Sequence, residues 1–375
     1  MDAPIDILLF VEDPGAANCI IGLPGALAEI GYSARLFCQG PAVDYLRSRQ
    51  VAACELSVET TADSLLSVLR PRLLAVGTAS NPHSLGLALI QVARRRNIAS
   101  VALLDSALNA GYRFRGETQD PLYYLPQWLL CPDEATRQAF LALGVRPDAI
   151  RLIGHPQLDR VLARRRELSG LDRGALRREF FPGLEAGRRV GVFVAEPSYG
   201  PGAIPYRKTG DYTLHGRGAA AGRSEIVIEE FLDAARLRDD LYLVLRLHPK
   251  QDPRELAAYL PEFDQLSRKE PPLDLIWAAD FAAGLTSMLL YEAAALGVPT
   301  LSIVPRPMEQ SWLPSVERGW TPVVWERLQL RARLAALVAL AVNASARPLR
   351  LEAAGAIQSM AAFFHELLAG KPVYA

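Results

Sequence analysis

The chain has 375 residues, half of them apolar, which is too many for one ordinary core and ample for two. Lys plus Arg equals Asp plus Glu, 41 against 41, so the formal net charge is zero; this argues against nucleic acid as the main partner, since such binders carry a basic excess. The four cysteines (Cys19, Cys38, Cys54, Cys131) have no CxxC spacing, which points to reduced thiols in a cytoplasmic protein.

The amino terminus, MDAPIDILLFVEDPG, has no basic stretch and enters a strand at once, so it does not read as a signal peptide. Residues 5–11, 33–38, 73–77, 100–105 and 128–131 read as strands buried on both faces, and 17–30, 59–70 and 83–96 carry the period of amphipathic helices. That alternation predicts a parallel sheet covered by helices on both sides. AIRLIGHPQLDRV (149–161) reads as a last strand leaving a first domain, 1–165, with GHP (154–156) as a hinge. Residues 160–189 then hold nine arginines against Glu167, Asp172, Glu179 and Glu185. The leading expectation is a solvated linker helix within 166–187; the lesser one is peripheral contact with anionic lipid headgroups at the inner face of the membrane, or with an acidic polymer.

The pattern restarts with strands at 188–195, 240–247, 273–278, 280–284 and 298–304, and helices near 224–237, 287–297 and 327–342. This predicts a second domain, 188–345, followed by a C-terminal helix within 346–375 that packs back on the first domain. The longest apolar stretch, around 281–304, is interrupted by Glu292, so no membrane span is expected. Residues 199–223 are rich in glycine and polar residues without periodicity and read as a mobile functional loop. The predicted fold class is α/β: two tandem Rossmann-like, doubly wound domains, with ligands in the cleft between them, beyond the carboxyl ends of the strands.

Two segments of the second domain carry candidate chemistry. VLRLHPK (244–250) ends an apolar strand in His248, Pro249 and Lys250. Proline fixes the exit direction, and a histidine at the sheet edge can bind a phosphate or protonate a leaving group. FAAGLTSMLLYEAAALGVPTLSI (281–303) places Gly284 at a tight turn and Thr286 and Ser287 where a helix begins. The N–H groups and dipole of a helix start favour an anion; the plain alternative is that Ser287 only caps the helix. His248 and Ser287 are expected to reach one sheet edge from neighbouring strands. Glu292 would accept from ribose hydroxyls or merely favour the dipole. In FVAEPSYG (193–200), Glu196 and Ser198 would line a nucleotide or belong to a plain exposed loop.

The first domain offers VEDPGAAN (11–18), with Glu12, Asp13 and Gly15 at the head of a helix, and LLDSALNAGYRF (103–114), with Asp105 at a strand end and Asn109, Arg113 and Arg115 downstream. Two acids repel phosphate, which suits the EDPG segment to an acceptor sugar instead of a donor. His83, His215 and His365 have no zinc-like spacing, so neither a metal nor another cofactor is expected.

The pair RLHPK and GLTS before EAAALGVP resembles the donor-binding half of glycosyltransferase-B enzymes, most closely bacterial sialyltransferases and Kdo transferases that build surface glycans. The resemblance covers most of the chain in layout and rests on motifs a few residues long. It implies that His248, Thr286 and Ser287 hold the phosphate of a nucleotide sugar, often CMP-linked, without a metal. It also implies a carboxylate base in the first domain. Asp105 fits that role by position and EDPG fits it by spelling, so Asp105 is preferred, with Asp13 as runner-up. The implied activity is transfer of a sugar, with a CMP-activated nonulosonic or ulosonic acid as candidate donor, to a glycan or glycosylated carrier. Alternatives are a UDP-GlcNAc 2-epimerase, a transferase using a CDP-alcohol, and a non-catalytic partner of a membrane-associated synthase. Epimerases share an HxEAGxR stretch, and LLDSALNAGYR (103–113) departs from it.

Overall fold

A computed structural model describes residues 4–198, 208–249, 251–343 and 355–370 and divides the chain into two compact units, 1–159 with 353–375, and 160–352.

The first unit is built on seven strands: β1 (Ile7–Val11), β2 (Ala34–Cys38), β3 (Cys54–Glu55), β4 (Leu73–Gly77), β5 (Ala99–Leu103), β6 (Trp128–Cys131) and β7 (Ile150–Leu152). All neighbours are parallel, in the order β3-β2-β1-β4-β5-β6-β7. β1 and β4 are buried along their whole length, as central strands covered on both faces must be. Their side chains alternate between two cores. Leu8, Phe10, Leu74 and Val76 face one, with α4 (Ala62–Leu69), α5 (Leu85–Arg95) and α6 (Glu134–Ala142) around it. Ile7, Leu9, Leu73 and Ala75 face the other, with α1 (Pro14–Ile20), α2 (Leu23–Glu29) and α3 (Pro41–Ser48).

The second unit opens with α7 (Pro156–Ser169), which begins on the first unit's last residues, and α8 (Arg173–Phe180). Its strands are β8 (Arg189–Val194), β9 (Leu241–Arg246), β10 (Gln265–Ser267), β11 (Phe281–Gly284), β12 (Thr300–Ile303) and β13 (Val323–Val324), all parallel in the order β10-β9-β8-β11-β12-β13. The helices are α9 (Arg223–Ala235), α10 (Pro272–Ala278), α11 (Met288–Ala295), α12 (Pro314–Glu317) and α13 (Arg327–Asn343). In each unit the chain reverses its direction of winding after three strands, between β1 and β4 and between β8 and β11, which is the doubly wound α/β class expected from the sequence.

The last helix, α14 (Ala356–Leu368), belongs to the first unit. Phe363 meets Trp128 edge-on at 5.4 Å, and His365 Nδ1 lies 2.9 Å from the Tyr32 hydroxyl.

Several local expectations are corrected. LDLIWA (273–278) is helix α10, not a strand, because Pro272 at its first position is preset for a helix and cannot serve a central ladder. The strand expected over 149–161 stops at Leu152, and its His-Pro starts α7 instead. The arginine-rich stretch 160–189, expected to hold a solvated linker helix, forms most of α7 and all of α8 in the second unit. There Arg160 pairs with Glu292 at 3.6 Å, Arg164 with Asp274 at 2.5 Å, Arg173 and Arg177 with Asp280 at 3.0 Å each, and Arg188 with Asp264 at 3.0 Å. Much of its positive charge is thus met by acids of the same unit. Of the loop expected to be mobile, 199–207 lies outside the described residues; beyond it, Tyr212 and Leu214 are buried in the core and Thr213 N donates to the Pro305 carbonyl at 2.7 Å. Among the described residues no helix is long and apolar enough to cross a membrane.

Candidate functional site

In the first unit, β1, β4 and β5 deliver their polar residues to the carboxyl edge of the sheet. Glu12, directly after β1, is only 8% exposed. Its Oε1 accepts from Asn81 Nδ2 at 2.5 Å, while Asn81 Oδ1 accepts from His83 N at 3.0 Å and so fixes the orientation of the amide. Glu12 Oε2 is buried without a hydrogen-bond partner among the described residues. Asp13 caps α1, accepting from Gly15 N at 3.0 Å.

Asp105 follows β5. Its Oδ1 accepts from Arg113 Nη2 at 2.9 Å. Arg113, 7% exposed, also donates to Thr78 Oγ1 at 3.2 Å and to the Leu108 carbonyl at 3.0 Å. The turn that brings Arg113 back passes through Asn109 in the left-handed region (φ 57°), a conformation asparagine tolerates well. Arg115 instead lies over the Tyr112 ring, 4.9 Å from its centroid. His155, read from sequence as part of a hinge, is 1% exposed and places Nε2 3.1 Å from the Asp105 carbonyl oxygen. Thr78 and Asn81 escape the sequence reading, in which His155 is only part of a hinge. Asn81 and Thr78 carry no motif; only the adjacency of β4 to β1 and β5 makes them neighbours of Glu12 and Arg113.

In the second unit, the carboxyl edge presents His248 after β9, Glu196 after β8, and Thr286 and Ser287 after β11. His248 and Ser287 share that edge, but β8 lies between their strands, so they are two strand spacings apart and not on neighbours. Glu196 therefore stands between them. Ser287 caps α11, its Oγ accepting from Leu289 N at 3.3 Å. Gly284 is required by close approach: a Cβ there would lie 2.7 Å from the Val194 carbonyl.

Glu196 is tightly held. Its Oε1 accepts from Thr286 N at 2.5 Å, and its Oε2 accepts from Thr286 Oγ1 at 3.2 Å and from Arg223 Nη1 at 2.8 Å. Arg223, at the start of α9, is 2% exposed; it also donates to Glu309 Oε2 at 2.5 Å and to Thr286 Oγ1 at 3.0 Å. Glu309, fully buried, accepts in turn from Arg306 Nε at 2.7 Å. Burial opposes the charge on Arg223, but Glu196 and Glu309 outweigh it and hold the guanidinium above its ordinary pKa. Two arginines and two carboxylates thus balance one another in a region where a lone charge would be costly. Ser198 Oγ accepts from Ser224 N at 3.1 Å and donates to Glu225. Gln251, 2% exposed, reaches the Glu196 carbonyl with Nε2 at 3.3 Å. Glu292, placed by the sequence near a ribose, is 5% exposed and faces Arg160. Pro249 is exposed, and Lys250 lies outside the described residues. Arg223, Arg306 and Glu309 had no sequence signal, since an isolated arginine before a helix reads as a surface residue. Among the described residues no group of three or more His, Cys, Asp or Glu is placed to hold a metal ion.

No protein-family model matches the chain, and no curated protein matches it by sequence. Solved structures match its fold. The UDP-GlcNAc 2-epimerase from Neisseria meningitidis bound to UDP-GlcNAc superimposes with a TM-score of 0.67 at 13% identity, over 96% of this chain and 100% of that one. The UDP-GlcNAc 2-epimerase from Methanocaldococcus jannaschii gives 0.66 at 12% identity, over 98% and 100%. The wall teichoic acid polymerase TagF gives 0.52 at 14% identity, over 97% and 90%. At these identities the likeness concerns the fold, which is of the glycosyltransferase-B type.

Proposed function

We propose that the chain is an enzyme acting on a nucleotide sugar, and specifically a metal-independent glycosyltransferase. One observation carries this: His248 and the Ser287-capped start of α11 flank the end of β8 at the switch point of the second sheet, the place where doubly wound sheets take nucleotides. The intervening Glu196 carboxylate is neutralised by Arg223, so it does not repel an anion there. His248 stabilises charge on the departing phosphate, and Asp105 takes the proton of the acceptor hydroxyl. Asp105 is preferred to Asp13 because Asp13 is engaged as a helix cap, while Asp105 is oriented by Arg113 through one oxygen. The buried Glu12 oxygen is a further acceptor for a sugar hydroxyl. A CMP-activated nonulosonic or ulosonic acid is the candidate donor, and a glycan or glycosylated carrier the acceptor.

A second reading, epimerisation of UDP-GlcNAc, is favoured by the fold likeness to two such epimerases along nearly the whole chain. Calorimetric titration of CMP, CDP, UDP, GDP and dTDP into wild type and His248→Ala tests the first reading. CMP binding that is lost in the variant supports a CMP-sugar transferase. UDP binding directs the work to incubation with UDP-GlcNAc in deuterated water, where deuterium at C2 establishes epimerisation. Failure of a folded chain to bind any nucleotide overturns both readings and leaves a non-catalytic partner.

A further inference from the structure

Thr286 has two donors that an anion could use, its backbone N–H and its hydroxyl. Both are directed at Glu196: the N–H to Oε1 at 2.5 Å and the hydroxyl to Oε2 at 3.2 Å. The hydroxyl oxygen also accepts from Arg223 Nη2 at 3.0 Å. A hydroxyl has one hydrogen, so nothing remains on Thr286 to donate to a phosphate. Glu196 takes the place that an anion bound by Thr286 would need, and Arg223, clamped between Glu196 and Glu309, keeps it there. The partners come from separate places in the chain: the end of β8, the start of α9, the turn after β11 and the segment after β12. Such convergence on one turn fixes its backbone more strongly than the turn's own residues can.

We infer that Thr286, Glu196 and Arg223 form a positioning unit that presets the β11–α11 turn, and that nucleotide phosphate is met from Ser287 onward, not by Thr286. This rests on the proposed nucleotide site. It separates two adjacent hydroxyl residues that the sequence motif treats alike: Ser287 stands at the helix start, and Thr286 acts through Glu196. On this inference the neutralised carboxylate holds the turn in its binding conformation before ligand arrives, which is preorganisation.

A double-mutant cycle on nucleotide affinity tests this, using Thr286→Val, which preserves volume, and Glu196→Gln, with thermal unfolding measured on each variant. Each single change is expected to weaken binding of the wild type's preferred nucleotide by about tenfold, and the pair by no more than either alone, because both break the same unit. Thr286→Ser, which retains both donors, is expected to restore wild-type affinity. Multiplied losses of about a hundredfold in the double variant mean that Thr286 meets the ligand independently, and overturn the inference. Lowered melting temperatures with unchanged affinity also overturn it, by reducing the unit to plain structural support. A wild type that binds no nucleotide is the separate failure of the underlying site.

Discussion

Gly15 and Asp105 lie in contact: a Cβ added to Gly15 would stand 2.4 Å from Asp105 Oδ2, closer than real side chains come. The head of α1 and the end of β5 thus meet through a glycine that leaves room for one carboxylate oxygen, while Arg113 holds the other. Alanine at position 15 must push Asp105 aside, and the obstacle is the end of a flexible side chain, not backbone. Gly15→Ala is therefore expected to change stability by less than about 1 kcal/mol, aided by alanine's better helix propensity, yet to lower turnover strongly. Melting temperature and turnover, measured together on this variant, decide the matter. Unchanged turnover would remove Asp105 from the proposed chemistry.

The second sheet has a tighter contact. A Cβ at Gly191 in β8 would lie 2.2 Å from the Phe281 ring of β11, and both positions are buried. Overpacking a closed core costs about 1–3 kcal/mol, so Gly191→Ala should lower the urea midpoint. Gly210→Ala, where a Cβ would meet no atom within 4 Å among the described residues, is the control and should not. Equal midpoints in the two variants would show that Phe281 can rotate away.

Acid should reveal one specific tie between β1 and β2. Asp6 accepts from Ser33 N at 3.0 Å and from Ser33 Oγ at 2.8 Å, and these bonds hold its carboxyl below the usual aspartate range. A depressed folded-state pKa gives stability that is present above the unfolded value and lost as pH falls through the folded one. Asp6→Asn should therefore be less stable than wild type by about 1 kcal/mol at neutral pH, and the difference should shrink as pH drops below about 4. Denaturant titrations across that range measure it; a gap that persists at the lowest pH would assign the effect to packing.

The thiols should differ in reactivity. Burial pushes Cys38 up to about 11, with Glu55 adding to it, and Cys131 up to about 12, with Asp133 adding to it. Cys19 is also buried, while Cys54 is half-buried at a two-residue edge strand. Dithionitrobenzoate should modify Cys54 first in the native protein and all four cysteines after unfolding. Rapid modification of more than one native thiol would contradict the burial of Cys19 on α1, Cys38 on β2 or Cys131 on β6.

The sequence by itself determined the repeated winding and most of its strands. Runs such as LLAVG (73–77) and WLLC (128–131) are uninterrupted, apolar and flanked by polar turns, so local pattern suffices to assign them. It failed where pattern is short or ambiguous: β3 and β13 span two residues each, and LDLIWA is apolar enough for either state until Pro272 is weighed as a helix start. Strand ends were equally legible, which is why Asp105, Glu196, His248 and Ser287 stand at sheet edges as expected. What only the tertiary structure decided is which of them meet. Strand order inserts β8, and with it Glu196, between His248 and Ser287; it sets β4 beside β1, bringing Asn81 to Glu12; and folding buries Arg223 against Glu196 and Glu309. Hydrogen-bond partners far apart in sequence leave no local periodicity, because their pairing depends on where the sheet places each strand, and that order is fixed by packing the whole unit.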